Sequence, residues 1–265
     1  MSHTLFQVSS DWNHAGTSSG IGAGIAASLL KNGIIILGVP RDVERIKKLS
    51  DSLGTTASGG KLVGMKCDVT NEDDIKSVFS YAKDQFGGID VCVNNAGLSH
   101  SSSLLTGDTK EWRNMLDVMI LAPCIITREF MNQVKERGVD DAHIIFINSI
   151  LGHVVPPQSP HFYCATKFAI TAIAEGVRQE LREMKSNCRC TSISPGVVKT
   201  EIFGRAFKAE DIQKAVEDVD KLISNGMPLL PDDIGNTVLF VLSAPPRMEV
   251  NEIIVTTTGK PLVSD

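Results

Sequence analysis

Ala15-Gly16-Thr17-Ser18-Ser19-Gly20-Ile21-Gly22 spaces its glycines G-x-x-x-G-x-G and runs into a helical pattern over residues 21–31. Asn32-Gly33 and the continuous apolar run Ile34-Ile35-Ile36-Leu37 follow, as for a strand buried on both faces. Glycines at this spacing let the backbone approach a pyrophosphate closely, and the helix start aims N–H groups at its charge. Alone, the pattern also suits an ordinary glycine-rich turn. The helix directly behind it and the strand beyond favour the nucleotide reading.

Outward from that turn the same alternation repeats. Short apolar runs at 62–65, 89–93, 143–147, 190–193 and 253–257 read as strands. Helical patterns at 43–53, 73–85, 111–137, 163–185 and 231–242 lie between them. Strands alternating with helices imply right-handed βαβ units and one mainly parallel, seven-stranded sheet covered on both faces. The expected fold is α/β, a single doubly wound Rossmann-type domain over residues 1–265, with its core at about 15–257 and a small lid at about 197–227. The stretch before the glycines fits this pattern poorly. Ser9-Ser10-Asp11-Trp12-Asn13-His14 make a poor central strand, and Leu5-Phe6-Gln7-Val8 alternates better but ends several residues early. An atypical first strand is expected.

Composition narrows the function. The 265 residues are 42% hydrophobic, 22% charged and 5% aromatic, which excludes collagen, coiled coil and disorder. Acidic residues outnumber basic ones 31 to 26, and this net charge of −5 argues against nucleic-acid binding. No apolar run approaches the roughly 18 residues that cross a bilayer. Residues 1–13 carry no basic leader or sustained apolar stretch, so no signal peptide is expected. The six cysteines are scattered without a CxxC pair, and the histidines show no metal-ligand spacing. Reduced thiols in a cytoplasmic protein without a metal site are the expectation.

At the end of the second strand, an acid binds a ribose 2′-hydroxyl and a basic residue a 2′-phosphate. This chain reads Leu37-Gly38-Val39-Pro40-Arg41, with no acid at the tip. Arg41 offers a planar, bidentate donor suited to phosphate, with Thr17 and Ser18 as helpers. Asn94-Asn95-Ala96-Gly97 follows the third apolar run, Ser149 ends the next, and Tyr163-Cys164-Ala165-Thr166-Lys167 opens a helix. Residues four apart share a helical face, so the phenol of Tyr163 and the ammonium of Lys167 act on one small volume.

In this order, these segments resemble the short-chain dehydrogenase/reductase family, together with Cys67-Asp68-Val69, Ile147-Asn148-Ser149 and Ser194-Pro195-Gly196-Val197. Asn95-Ala96-Gly97-Leu98, Gly152-His153-Val154-Val155-Pro156 and residues 177–183 and 240–246 look like the branch holding insect farnesol dehydrogenase and vertebrate dehydrogenase/reductase member eleven. The resemblance implies an NADP(H)-dependent oxidoreductase for lipophilic alcohols and ketones or aldehydes, terpenoids and steroids among them. It assigns catalysis to Ser149, Tyr163 and Lys167. The cofactor would lie against Gly16, Thr17, Ser18, Ser19, Gly20, Ile21, Gly22 and Arg41, then Asp68, Val69, Asn95, Ala96 and Gly97. Tyr163, Lys167, Pro195, Gly196, Val198 and Thr200 would complete its site. A homodimer or homotetramer through the two long central helices is also implied.

In the implied mechanism, hydride transfer builds negative charge on a carbonyl oxygen, Tyr163 donates the proton and Ser149 hydrogen-bonds the oxygen. A free phenol titrates near about 10, and a neighbouring ammonium favours its ionised form. The substrate pocket is expected from Leu151, His153, Val154, Phe162 and Phe203, mostly apolar side chains suited to an oily ligand. Two departures stand out. Met119 occupies the place of an Asn that, in the family, kinks the central helix and holds a proton-relaying water, and a thioether donates no hydrogen bond. Ala15 replaces the Thr that normally precedes the first glycine. They motivate an alternative reading, a cofactor-binding protein of this fold with weak or no turnover, acting as a sensor or interaction module.

Overall fold

The computed structural model describes residues 4–8, 20–54, 58–157, 159–202, 214, 216–217 and 228–259. Its sheet runs β1 (Thr4–Val8), β2 (Ile35–Val39), β3 (Lys61–Gly64), β4 (Val91–Asn94), β5 (His143–Ile147), β6 (Arg189–Pro195) and β7 (Glu252–Val255). The spatial order is β3-β2-β1-β4-β5-β6-β7, every ladder parallel. Chain direction across the sheet reverses between β1 and β4, the switch point where ligands settle outside the strand ends.

β1 comes from Leu5-Phe6-Gln7-Val8 and its neighbour Thr4, not from the residues next to the glycines. Leu5 registers with Ile36 of β2 and with Val91 of β4, which makes this short strand an interior strand of the sheet. The expectation that it ends too early for a central strand is therefore corrected. The link over residues 9–19 lies outside the described residues.

Helices cover both faces: α1 (Ile21–Leu30), α2 (Val43–Leu53), α3 (Glu72–Phe86), α4 (Thr109–Leu116), α5 (Ala122–Glu136), α6 (His161–Glu183) and α7 (Pro231–Leu242). One core joins Ile25, Leu29, Ile36, Val93 and Ile145 to Ile234 and Val238 of α7. The other joins Leu37, Cys92, Ile144 and Phe146 to Ile75, Phe130 and Ile170. Alternating strand residues feed opposite cores, as the period of two requires. Start signals act as caps: Asn71 Oδ1 accepts from the N–H of Asp73 at 2.9 Å and of Asp74 at 3.3 Å.

The helical pattern expected over 111–137 is interrupted. Asp117–Leu121 forms a π-helical turn between α4 and α5, closed by the Ala122 N–H donating to the Asp117 carbonyl. Pro123 lacks the N–H that an uninterrupted α-helix would offer the Met119 carbonyl, and its ring would press on that carbonyl. A π turn directly ahead of Pro123 relieves both problems. Among the described residues no helix is long and apolar enough to cross a membrane, and no group of three or more His, Cys, Asp or Glu could hold a metal ion.

Candidate active site

β5 ends at Ile147, and the chain turns at once. Asn148 N–H donates to Ile193 O of β6 at 2.7 Å. Ser149 caps the 3-10 turn Ile150–Gly152, its Oγ accepting the Leu151 N–H at 3.1 Å. This turn lies against α6. The Thr171 hydroxyl donates to Gly152 O at 3.0 Å, and a Cβ on Gly152 would stand 2.8 Å from Lys167 O. Only glycine lets the Ser149 turn approach the helix so closely.

On α6, Tyr163 and Lys167 are 9% and 5% exposed. Lys167 Nζ lies 5.6 Å from the Tyr163 ring centroid and donates to Ile147 O at 2.9 Å. A buried ammonium needs such a partner, and this one fixes it two residues before Ser149. The structure thus gathers the predicted Ser149, Tyr163 and Lys167 where β5 meets α6.

Apolar side chains surround the phenol. Tyr163 packs with Met115, Val118 and Met119, fringed by Ala96, Leu98, Trp112, Leu151, Phe162 and Ile202. Leu151 and Phe162 were expected here. Trp112 was not; its ring stacks on Phe162 with centroids 5.4 Å apart. Trp112, Met115 and Met119 share one face of the helix at three- and four-residue spacing, a stripe legible in the sequence. Met119 is buried, its sulfur 3.8 Å from Thr166 Oγ1, whose proton goes to Tyr163 O at 2.7 Å. His153 turns instead to Ser194 and Glu252. Val154 is half-buried. Phe203 and most of the expected lid at 197–227 lie outside the described residues, but the ends of that segment meet at a Val198–Leu229 bridge.

The strand ends on the other side of the switch point form a second cleft, lined by Val39, Arg41, Cys67, Asp68, Val69, Thr70, Ala96, Leu98, Asn114 and Val118. Asp68 Oδ1 accepts from the Thr70 N–H at 3.0 Å and its hydroxyl at 2.7 Å. Burial pushes this carboxyl up, but the Thr70 bonds and the charge of Arg41 outweigh it and hold the group below the usual range. Cys67 beside it is pushed up to about 12 by burial and by the charges of Asp74 and Asp68, so its thiol stays protonated. Among the described residues the cysteines are free, and only Cys124 is exposed.

Gly20, at φ 118°, precedes α1, which has no side-chain cap and no acid in its first turn. α2, α3 and α4 carry Asp42, Asn71 and Asp108 there, with acids behind them. Among the described residues, no acid in its first turn would oppose an anion at the positive end of α1. Among the described residues, a Cβ at Gly97 would meet only Asn95 O, at 3.9 Å. Asn95 is buried at the end of β4, and Gly196 and Thr200 follow β6, with Thr200 3% exposed. These residues fit a dinucleotide laid across the strand ends. Gly16, Thr17, Ser18 and Ser19 lie outside the described residues.

Comparisons with known proteins agree with this architecture. The short chain dehydrogenase family model matches residues 15–225. Dehydrogenase/reductase SDR family member 11 of Gallus gallus is 46% identical over 241 residues, covering 90% of this chain and 92% of that protein. Farnesol dehydrogenase of Aedes aegypti is 40% identical over 249 residues, covering 92% and 94%. Among solved structures, an alcohol dehydrogenase of the archaeon Thermococcus sibiricus, complexed with 5-hydroxy-NADP, superposes with a TM-score of 0.78 at 23% identity, covering 98% and 99%. The closed form of serine dehydrogenase complexed with NADP+ gives 0.79 at 25%, covering 95% and 94%. With its parallel sheet, its buried Tyr and Lys on one helix and these relatives, the chain belongs to the short-chain dehydrogenase family of oxidoreductases.

Proposed function

We propose that this chain is an NADP(H)-dependent oxidoreductase that interconverts a lipophilic alcohol and its ketone or aldehyde. The observation that carries the reading is the buried Tyr163–Lys167 pair on one face of α6, packed beside the turn that Ser149 heads. When bound, the reduced dinucleotide supplies a hydride to the carbonyl carbon. Tyr163 then donates its phenolic proton to the carbonyl oxygen, and the Ser149 hydroxyl hydrogen-bonds that oxygen as its charge develops. Lys167, anchored on Ile147 O, stabilises the phenolate left behind. The apolar shell of Met115, Leu151, Phe162 and Trp112 excludes water and suits an oily substrate. The name of the Aedes aegypti relative supports that substrate class.

The phosphorylated cofactor is supported by Arg41 at the tip of β2 and by the NADP forms named in the solved relatives. Pro195, Gly196, Val198 and Thr200 would flank its nicotinamide end, and Asp68 and Val69 its adenine. Assembly as a homodimer or homotetramer is supported by Leu121 and Phe168, exposed on the central helices.

Tyr163→Phe tests the reading. Reduction of a terpenoid, steroid and aromatic carbonyl panel should fall by about 10²-fold or more, the usual contribution of a positioned acid. NADPH affinity, read by cofactor fluorescence, should stay near wild type. Comparable turnover in the variant would overturn Tyr163 as proton donor. The second reading, cofactor binding with weak turnover, is favoured by Met119, whose sulfur cannot donate. A wild-type chain that binds NADPH tightly and reduces no member of the panel would support it.

A further inference from the structure

His153 enters a polar cluster that catalysis does not use. It directly follows the Ile150–Gly152 turn, and its N–H donates to Ile150 O at 2.9 Å. Its Nε2 lies 2.9 Å from Ser194 Oγ and 3.4 Å from Glu252 Oε1. Ser194 is fully buried, and its hydroxyl donates to Glu252 Oε1 at 2.6 Å. That short, charge-assisted bond takes the only serine proton, so Ser194 Oγ is left to accept and Nε2 carries the imidazole hydrogen. Serine, histidine and an acid in contact suggest a hydrolytic triad. A triad needs the acid on one ring nitrogen and the serine on the other. Here a single nitrogen meets both, and the serine proton already belongs to the carboxylate.

The cluster links three elements that must agree. His153 belongs to the turn that Ser149 heads. Ser194 lies in β6, immediately before Pro195 and Gly196, and the Gly196 N–H donates to Val255 O at 2.7 Å. Glu252 opens the edge strand β7. On its other side the Ser149 turn is held by α6, through Thr171 on Gly152 O and Asn148 Nδ2 on Thr171 Oγ1 at 2.9 Å.

We propose that His153 is a positioning residue, clasping the Ser149 turn to β6 and β7 through Ser194 and Glu252. This rests on the reading of Ser149 and Tyr163 as catalytic. The clasp holds the Ser149 hydroxyl at a fixed offset from the Pro195–Gly196 turn, so the polarising group and that wall of the cofactor cleft move together. Releasing it lets the turn drift while leaving Arg41, the α1 terminus and the dinucleotide affinity intact.

The test compares wild type, His153→Ala, His153→Gln and the Tyr163→Phe control on one ketone with NADPH. A misplacement of about 1 Å can cost about 10²-fold, so His153→Ala should lower kcat by about 10- to 100-fold. The KM for NADPH should remain near wild type. His153→Gln keeps an N–H near the Nε2 position and should recover most of kcat. An unchanged kcat in His153→Ala overturns the clasp, and so does a His153→Gln variant as slow as His153→Ala. If His153→Ala does not fold by circular dichroism, Glu252→Ala is read instead. The same split between kcat and KM supports the clasp, and an unchanged kcat overturns it. A Tyr163→Phe variant that keeps full turnover, or a wild type that reduces nothing, defeats the parent reading and the clasp with it. A dead Tyr163→Phe beside a normal His153→Ala defeats the clasp alone.

Discussion

His143 shows how one neutral side chain makes the fold sensitive to acid. Its Nε2 lies 2.8 Å from Thr191 Oγ1, whose own proton goes to Val250 O at 2.6 Å. Nε2 therefore donates, and Nδ1 is buried with no partner among the described residues. Charging the ring would create an N–H with no acceptor, and burial, then the charge of Arg189, lowers its pKa from 6.5 to about 3. Between those values the unfolded chain binds a proton that the folded chain refuses, so stability falls as pH drops through 6.5 towards 3. His143→Gln, which cannot ionise, should unfold less steeply with acid over that window, as followed by thermal melts at stepped pH. Equal slopes would place the acid sensitivity elsewhere. At the same scale, Arg41→Ala should weaken NADPH far more than NADH, since only the former carries the 2′-phosphate. Fluorescence titration with both cofactors reads the difference, and equal losses would remove the preference.

Among elements, the junction of α4 and α5 was only half legible. The sequence showed one helical pattern over 111–137, with Met119 in place of a helix-kinking Asn and Pro123 four residues on. A π turn cannot be told from a kink by periodicity, because both shift the stripe by a fraction of a turn. Met119 sits inside that turn, where Asn would restore a donor. Met119→Asn is expected to raise kcat with unchanged NADPH affinity, measurable by single-turnover kinetics; an unchanged kcat would mean that proton resupply through this position does not limit the rate. The contact between α1 and α7 was hidden altogether, because it depends on two glycines distant in sequence. A Cβ on Gly24 would overlap the Pro231 carbonyl, and one on Gly235 the Gly24 carbonyl. Gly24→Ala should cost about 1–3 kcal/mol, the usual range for overpacking, seen as a lower urea midpoint. The Ser149, Tyr163 and Lys167 constellation was legible because its spacing lies within one strand–helix unit. The partners of His153 were not, since β6 and β7 bring them from elsewhere in the chain.

At the scale of the molecule, alternation of strand and helix sufficed to read a doubly wound sheet, because each apolar run can be buried only between two helical layers. It failed at β1, because that strand ends at Val8 and its helix begins only at Ile21. The proposed assembly through the central helices belongs to this scale too, and it requires that the wild type run as a dimer or tetramer. Leu121 is 54% and Phe168 41% exposed. A Leu121→Lys, Phe168→Lys double variant should run as a monomer in light scattering with its melting temperature nearly unchanged. Persistent oligomers would move the interface to another face.

An interior strand of the sheet, paired on both edges, is built from Thr4–Val8. As the polypeptide leaves the ribosome, this strand emerges ahead of the other six and can pair with β2 early. Its other edge has no partner until Val91–Asn94 has been translated. Until then the nascent chain carries an open apolar edge, the kind that sticks to neighbours or recruits a chaperone. Yield in cells should therefore depend on translation speed before β4, even for variants whose finished fold is equally stable.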